Sequence, residues 1–247
     1  MTGEQINNQP SALGCPSGVE PVRPSTESDP HASIPADPGA PTRPELRSPA
    51  STLIYRPATY IERLNLRQLF PSQRPLEVEL GSGDGSFLAQ YARLNPDLNF
   101  LAVERLLGRL RKLDRKGLRA GLTNLRLIRI EASYFAEYLL PRESVRALHI
   151  YFPDPWPKRR HHKNRLINTL FTEVTRQVLE PNGKVYLRTD NADYFAQITD
   201  VFQSNSAFRI IDTPPPLSGI KTDFERDFEA KGVPTLRAAY QRAERSA

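Results

Sequence analysis

Apolar residues along this chain fall into short blocks separated by stretches of longer period. LEVEL (76–80) is followed by NFLAV (99–103) and by apolar runs at 125–130, 147–152 and 184–189. Between them, over 86–92, 106–118, 134–140, 164–179 and 193–204, apolar positions return every third or fourth residue. Short runs rich in Leu, Val and Ile predict strands, and the longer period is that of a helix. Two more strands are expected at 208–212 and 235–240, the second closing the sheet as an antiparallel edge. Ahead of them, RPATYIERLNLRQLF (56–70) places Tyr60, Leu64 and 66–70 at helical spacing, which predicts an amphipathic leading helix. Strand and helix alternating this regularly predict an α/β sandwich on a mainly parallel sheet, one domain over 51–247.

The first fifty residues do not join this rhythm. They hold ten of the 23 prolines, no aromatic residue and no apolar periodicity, so they are expected to form a disordered Pro/Ser-rich tail. Three Arg against six acids give the tail −3, so the +6 of the whole chain leaves +9 on 51–247. A body this basic points to a polyanionic partner. Cys15 is the single cysteine, which excludes a disulfide within the chain and a cysteine-ligated zinc site. The tail has neither a signal-peptide core nor the acid-poor composition of a transit peptide, and no run is long enough to span a bilayer. The expectation is a cytoplasmic protein with no membrane contact and no obligatory protein partner.

Strand 76–80 breaks into Gly81-Ser82-Gly83-Asp84-Gly85 before a helix, the opening of a βαβ nucleotide-binding unit. Its G-x-G-x-G spacing differs from the G-x-G-x-x-G of pyrophosphate sites, and Glu79 and Asp84 are poor company for phosphate. Acids suit a cationic ligand. S-adenosylmethionine carries a sulfonium and an ammonium and no phosphate, and it meets that description. Glu104 ends the second strand, where an acid meets ribose hydroxyls, and Glu131 follows the third, within reach of an adenine amino group. Gly81 and Gly83 allow the backbone close to the ligand.

The most distinctive stretch is YFPDPWPKRRHHK (151–163). Prolines at 153, 155 and 157 hold Asp154 in place, and residues before a proline are expected to be extended. Carboxylate, indole and a dense run of cations together suit a gripped nucleobase with its phosphates neutralised. Trp156 either stacks on a base or packs beneath the prolines. Lys158, Arg159, Arg160, Lys163 and Arg165 are candidate phosphate contacts, joined by the cations of 106–118. His161 and His162 are adjacent and without companion ligands, so they are read as basic surface and no metal is expected. The D-P-P-aromatic order of exocyclic-amine methyltransferases is inverted here. A non-catalytic RNA-binding protein on the same fold is the remaining alternative.

Taken together, ELGSGDG, AVER, YFPDPWPKRRHHKNR, LRTDN and TDFE resemble the bacterial tRNA (guanine-N7)-methyltransferase family, over nearly all of 70–240. The resemblance implies a Rossmann-like S-adenosylmethionine-dependent methyltransferase fold, with a mainly parallel seven-stranded sheet and an antiparallel edge strand. It implies methyl transfer to N7 of a guanine in the tRNA variable loop, giving 7-methylguanosine. Carried over by position, Glu79, Gly81, Gly83, Glu104, Glu131 and Asp154 serve the cofactor, and Asp154 is the catalytic residue. Lys158, Asp190 and Thr222-Asp223-Phe224-Glu225 meet the tRNA, with 223–229 expected as a mobile flap. The chain departs from the family at Glu131, where Asp is usual, and at Asp223, where Lys is usual. Lys221 stands two residues before Asp223.

Overall fold

The structure, a computed structural model, describes residues 52–244; the tail expected at 1–50 and Cys15 lie outside the described residues. The strands are β1 (Ile54–Tyr55), β2 (Leu76–Leu80), β3 (Asn99–Val103), β4 (Leu125–Ile128), β5 (Val145–Tyr151), β6 (Leu179–Thr189), β7 (Phe208–Ile210) and β8 (Leu236–Arg242), and they form one sheet in the order β1-β4-β3-β2-β5-β6-β8-β7. Pairs β1–β4, β4–β3, β3–β2, β2–β5 and β5–β6 are parallel. The strand expected at 235–240 to close the sheet as its antiparallel edge is β8; it is antiparallel to β6 but lies one place in, and the strand at the edge is β7, antiparallel to β8. Seven strands answer to those expected from sequence. The eighth, β1, is two residues long and offered no periodicity to read.

LEVEL shows how the two layers are built. All five residues are buried, and successive side chains alternate between faces. Leu76, Val78 and Leu80 pack with Phe171 and Val178 of α4 (Thr169–Val178) and Tyr194, Ile198 and Phe202 of α5 (Ala192–Gln203). On the other face, Phe87, Leu88 and Ala92 around α1 (Leu88–Leu94) and Leu110 and Leu113 of α2 (Leu107–Arg119) pack over Phe100 and Ala102. Each such buried Leu or Phe contributes about 1.5–3 kcal/mol. Glu77 on this second face is reached by His149 Nε2 at 2.9 Å, whose Nδ1 meets the Tyr151 hydroxyl at 2.8 Å.

One expectation is corrected. Stretch 56–70 is irregular apart from a 3-10 turn at Leu66–Gln68. Its backbone is spent elsewhere: Leu64 N–H donates to the Leu139 carbonyl, Thr59 Oγ and Asn65 Oδ1 accept local N–H groups, and Arg63 donates to the carbonyls of Glu137 and Leu140. Those carbonyls belong to or flank a π-helical turn, Phe135–Leu139, which follows α3 (Ala132–Tyr134). The segment expected as a flap, 223–229, is helical, lying within α7 (Asp223–Ala230), and α6 (Pro215–Ser218) precedes it. β6 carries a bulge at 180–183, where the pairing with β5 steps from Val145–Leu179 to Ala147–Lys184.

Candidate active site at the carboxyl edge of the sheet

Because β4, β3, β2, β5 and β6 run parallel, the residues after them collect along one edge. From β2 the chain steps outward through β3 and β4 and then returns to β5 on the other side, which makes the β2/β5 gap the topological switch point where open α/β sheets bind ligands. Glu79, the glycine loop, Glu104, Glu131, Asp154 and Asp190 all lie along this edge.

Glu79 is the least satisfied of them. It is buried, and its Oε2 has no hydrogen-bond partner among the described residues. Burial pushes its carboxyl up to about 8, partly offset by Arg188 and reinforced by the nearby Asp84 and Glu104. A buried, unpartnered carboxyl is costly, and a cation placed beside it would lower that cost.

The loop 81–85 takes its shape from left-handed glycines. Gly81 and Gly83 have φ of +84° and +55°, and a Cβ on either would meet nothing within 4 Å, so this side of the loop is open to a ligand. Gly85 is different. Its φ is +76°, and a Cβ there would stand 2.2 Å from Leu113 Cδ1, so this glycine serves the packing of α2. Asp84 is also structural: it caps the turn through Ser86 N–H at 3.2 Å and pairs with Lys116 Nζ at 2.7 Å. Burial opposes its ionisation, but Lys116 prevails and holds it below its ordinary value. Glu104 accepts from Gly83 N–H at 3.0 Å and Leu106 N–H at 2.7 Å, tying the loop to the start of α2.

Glu131 caps α3. Its carboxylate accepts from Ser133 N–H (3.0 Å), Ser133 Oγ (2.7 Å) and Tyr134 N–H (2.8 Å). Burial would raise its pKa, and these donors outweigh it and hold the carboxyl below its usual value. The longer acid is thus held by its own helix end.

Asp154 is exposed, in a loop pinned at both ends: Phe152 N–H donates to the Arg188 carbonyl at 2.8 Å, and Arg165 Nε donates to the Pro155 carbonyl at 2.7 Å. Phe152 and Trp156 are not extended, as the following prolines suggested. Their φ values are +51° and +45°. Left-handed backbone also escapes the αR clash that proline imposes on its predecessor, at a cost of about 1–3 kcal/mol per residue that the surroundings must hold. Trp156 stands edge-on to His161, with centroids 5.7 Å apart. Arg165 is buried and engaged by Pro155, Gln197, Asp193 and the Tyr194 ring, which removes it from the candidate phosphate ligands. Lys158, Arg159, Arg160 and Lys163 remain exposed around a 3-10 segment, Arg159–Asn164. Asp190 directly follows β6, and the cap of α5 is its neighbour Asn191, which accepts from Tyr194 N–H at 2.8 Å.

α7 reaches across this edge. Thr222 caps it, accepting from Glu225 N–H at 3.0 Å, and Asp223 N–H donates to Ser86 Oγ at 2.9 Å. The Asp223 carboxylate pairs with Arg226. Phe224 and Phe228 lie 6.3 and 5.6 Å from the Phe152 ring, so one end of α7 touches the glycine loop and its face touches the Asp154 loop. Glu225 is fully enclosed and pairs with the buried Arg188 at 2.8 Å and with Arg237, so its side chain holds α7 to the sheet.

A family profile described as putative methyltransferase matches residues 73–238, a span that includes every site residue from Glu79 to Glu225. The tRNA (guanine-N(7)-)-methyltransferase of Streptococcus thermophilus strain CNRZ 1066 is 32% identical over 179 residues, covering 70% of this chain and 84% of that protein. That of Rubrobacter xylanophilus is 33% identical over 202 residues, covering 80% and 90%. This chain belongs to the tRNA (guanine-N(7)-)-methyltransferase family. Among solved structures, the 16S rRNA methyltransferase KamB superposes with a TM-score of 0.55 at 16% identity, over 74% of this chain and 95% of that one. An A1408 methyltransferase of the 30S ribosome from an uncultured bacterium gives 0.52 at 18% identity, over 72% and 92%. At such identity the likeness is of fold, and the fold is that of Rossmann-like methyltransferases.

For a member of this family, the residue that sequence reasoning missed is Arg188. It donates to the carbonyls of Ile220 (2.8 Å) and Leu217 (2.6 Å) as well as to Glu225, and its guanidinium lies 4.3 Å from the Tyr151 ring centroid. Its one signal in sequence is a cation inside an otherwise apolar strand, VYLRT, and a buried charge of that kind requires a partner. Among the described residues no group of three or more His, Cys, Asp or Glu side chains could hold a metal ion, and no helix is long and apolar enough to cross a membrane.

Proposed function

We propose that this chain transfers a methyl group from S-adenosylmethionine to N7 of a guanine in the variable loop of tRNA, forming 7-methylguanosine. The observation that carries the proposal is the buried, unpartnered carboxyl of Glu79 beside the open glycine loop, on the same edge as the exposed Asp154. That chemistry fits a cationic cofactor. Glu79, Gly81, Gly83 and Glu104 would hold it, with Glu131 at the far end of the cleft. Bound there, S-adenosylmethionine supplies an electrophilic methyl on a sulfonium. Membership in the family supports guanine N7 as the acceptor and tRNA as its carrier.

Guanine N7 presents an in-plane lone pair and has no proton to lose, so the reaction needs no general base. Positioning supplies the rate. As positive charge develops on the purine, the Asp154 carboxylate stabilises it, and the pinned backbone around Asp154 means that little reorganisation is required. Lys158 and its exposed neighbours neutralise phosphates, while α7 sets the wall opposite.

The direct test is incubation of the full chain with unmodified tRNA and radiolabelled S-adenosylmethionine, followed by nucleoside analysis. Label in 7-methylguanosine from the variable loop is expected, and label in another nucleoside, or none, refutes the assignment. Asp154→Asn should lose most turnover and keep tRNA affinity, since the basic surface is untouched; full activity would remove Asp154 from the chemistry.

A further inference from the structure

Away from the acids, at the β1/β4 end of the sheet, a cleft of about 730 Å³ opens between β1, α2 and the start of the loop after β4. Three guanidinium groups line it, from Arg56, Arg111 and Arg129, and among the described residues no carboxylate does. All three residues are exposed. Arg129 uses only its Nε, donating to the Arg105 carbonyl at 3.3 Å, which leaves its terminal nitrogens for another acceptor. Tyr60 is an exposed aromatic on the same rim, and Leu107 and Ile54 add apolar wall.

Two hydrogen bonds join this cleft to the cofactor end. The Tyr134 hydroxyl donates to the Tyr60 carbonyl at 2.8 Å, and Tyr134 belongs to the helix that Glu131 caps. Arg105, the acceptor for Arg129, directly follows Glu104. The two regions are therefore neighbours of opposite charge. An acid-lined end favours a sulfonium, whereas three guanidiniums without a carboxylate among them repel one and attract a polyanion. Arginine forks match phosphate oxygens bidentately, and an exposed aromatic offers a face to any base.

We infer that the cleft lined by Arg56, Arg111 and Arg129 is a second RNA subsite, which holds a backbone phosphate of the substrate while the adjoining base lies against Tyr60. The inference rests on the proposed RNA substrate, and it places RNA binding on the side of the cofactor end opposite to the Lys158 surface. α2 continues the positive surface with Arg109, Lys112, Arg115 and Arg119, all exposed. Its one acid, Asp114, is turned inward to Leu53 N–H and Thr52 Oγ and does not offset them.

The test uses the full chain with Arg56, Arg111 and Arg129 changed together to Gln, and separately Tyr60→Ala. Three quantities are read: tRNA binding against salt, KM and kcat for methylation, and S-adenosylmethionine affinity by calorimetry. For the triple variant, KM for tRNA should rise about tenfold, equivalent to about 1.4 kcal/mol. The slope of log K against log salt should become shallower by about 0.7–0.9 for every phosphate that these arginines neutralise in the parent. kcat at saturating tRNA and cofactor affinity should stay as in the parent, and Tyr60→Ala should raise KM without changing the slope. An unchanged slope and KM overturn the inference. Weakened cofactor binding with an unchanged slope also overturns it, by giving the cleft to the cofactor. If the triple variant melts below assay temperature, Arg111→Gln alone carries the same readout. Failure of the parent chain to form 7-methylguanosine would be seen independently of these slopes, because tRNA binding needs no turnover.

Discussion

The Arg188–Glu225 pair makes the sharpest demand on this fold, and Glu225→Gln is the perturbation that isolates it. Glu225 is 0% and Arg188 2% exposed, so the substitution removes a charge where water cannot replace it. Removing one partner of a buried pair costs about 3–5 kcal/mol, because the other charge is left uncompensated. Arg188 keeps its bonds to the carbonyls of Leu217 and Ile220, which favours the lower end, about 3 kcal/mol. At about 2–4 °C per kcal/mol for a domain near this size, the melting temperature should fall by about 6–12 °C. Function should suffer in a particular order. α7 brings Asp223 N–H to Ser86 and Phe224 and Phe228 to Phe152, so loosening it should raise KM for tRNA well before cofactor affinity falls. Calorimetric melting, paired with methylation kinetics at a temperature where both proteins are folded, reads both effects. Replacing both partners by apolar residues, Arg188→Met with Glu225→Leu, should recover much of the forfeited stability. A Glu225→Gln protein that melts within about 1 °C of the parent, with an unchanged KM for tRNA, would refute the clamp, since a buried charge cannot be orphaned at so small a cost.

Glu79 gives a pH signature. Its folded carboxyl holds a proton up to about pH 8 that the unfolded chain surrenders near 4.5, so its destabilising effect is absent below about 4.5, grows as pH rises and is complete above 8. Glu79→Gln should therefore gain stability relative to the parent as pH rises from 5 to 8, read by denaturant titration at several pH values; parallel profiles would show that the carboxyl is not buried as described. In the parent, cofactor affinity should rise with pH toward 8, and that rise should vanish in the variant. The glycines should separate by role: both are left-handed, so either Ala costs about 1 kcal/mol or more in backbone strain, but Gly85→Ala also drives a Cβ into Leu113 and should lose about 1–3 kcal/mol more by overpacking, whereas Gly81→Ala meets no neighbour and should add mainly a loss of cofactor affinity. Melting and calorimetry on the two variants distinguish these outcomes, and equal losses in both would undo the division.

The sheet was legible because its central strands are continuous apolar runs, each flanked by turn residues, and a fully parallel interior requires both faces to be apolar. Glu79, Glu104 and Asp154 stood out in the sequence because each is an acid at or just past the end of such a run, and the structure gives Glu104 a structural duty there, accepting from Gly83 and Leu106 N–H. What escaped sequence reasoning depends on long-range pairing. Nothing local in 56–70 says that its N–H groups and guanidinium will serve the π-helical turn at Phe135–Leu139, so amphipathic spacing there predicted a helix that tertiary hydrogen bonds displace. Nothing local in TDFE says that its glutamate will face Arg188, 37 residues back, so a buried anchor looked like a surface residue. The residues before the prolines were expected to be extended, which Phe152 and Trp156 are not, because the rule for pre-proline residues disfavours αR and leaves the left-handed region open to them.

Charge along the carboxyl edge is divided by position, and the division follows from what each charge touches. The anions at Asp84, Glu104, Glu131 and Glu225 are satisfied by backbone N–H groups or by cations of the fold, so they shape the cleft without demanding a ligand. Glu79, Asp154 and Asp190 are left over, one buried with a bare oxygen, one exposed on a pinned loop and one half-buried just past β6. The cations divide in the same way: Arg165, Arg188 and Lys116 are engaged within the fold, while Lys158 to Lys163 on one side and Arg56, Arg111 and Arg129 on the other remain available. Unspent acids on the edge, flanked on both sides by unspent cations, are the arrangement that a cationic methyl donor and a polyanionic acceptor would jointly require.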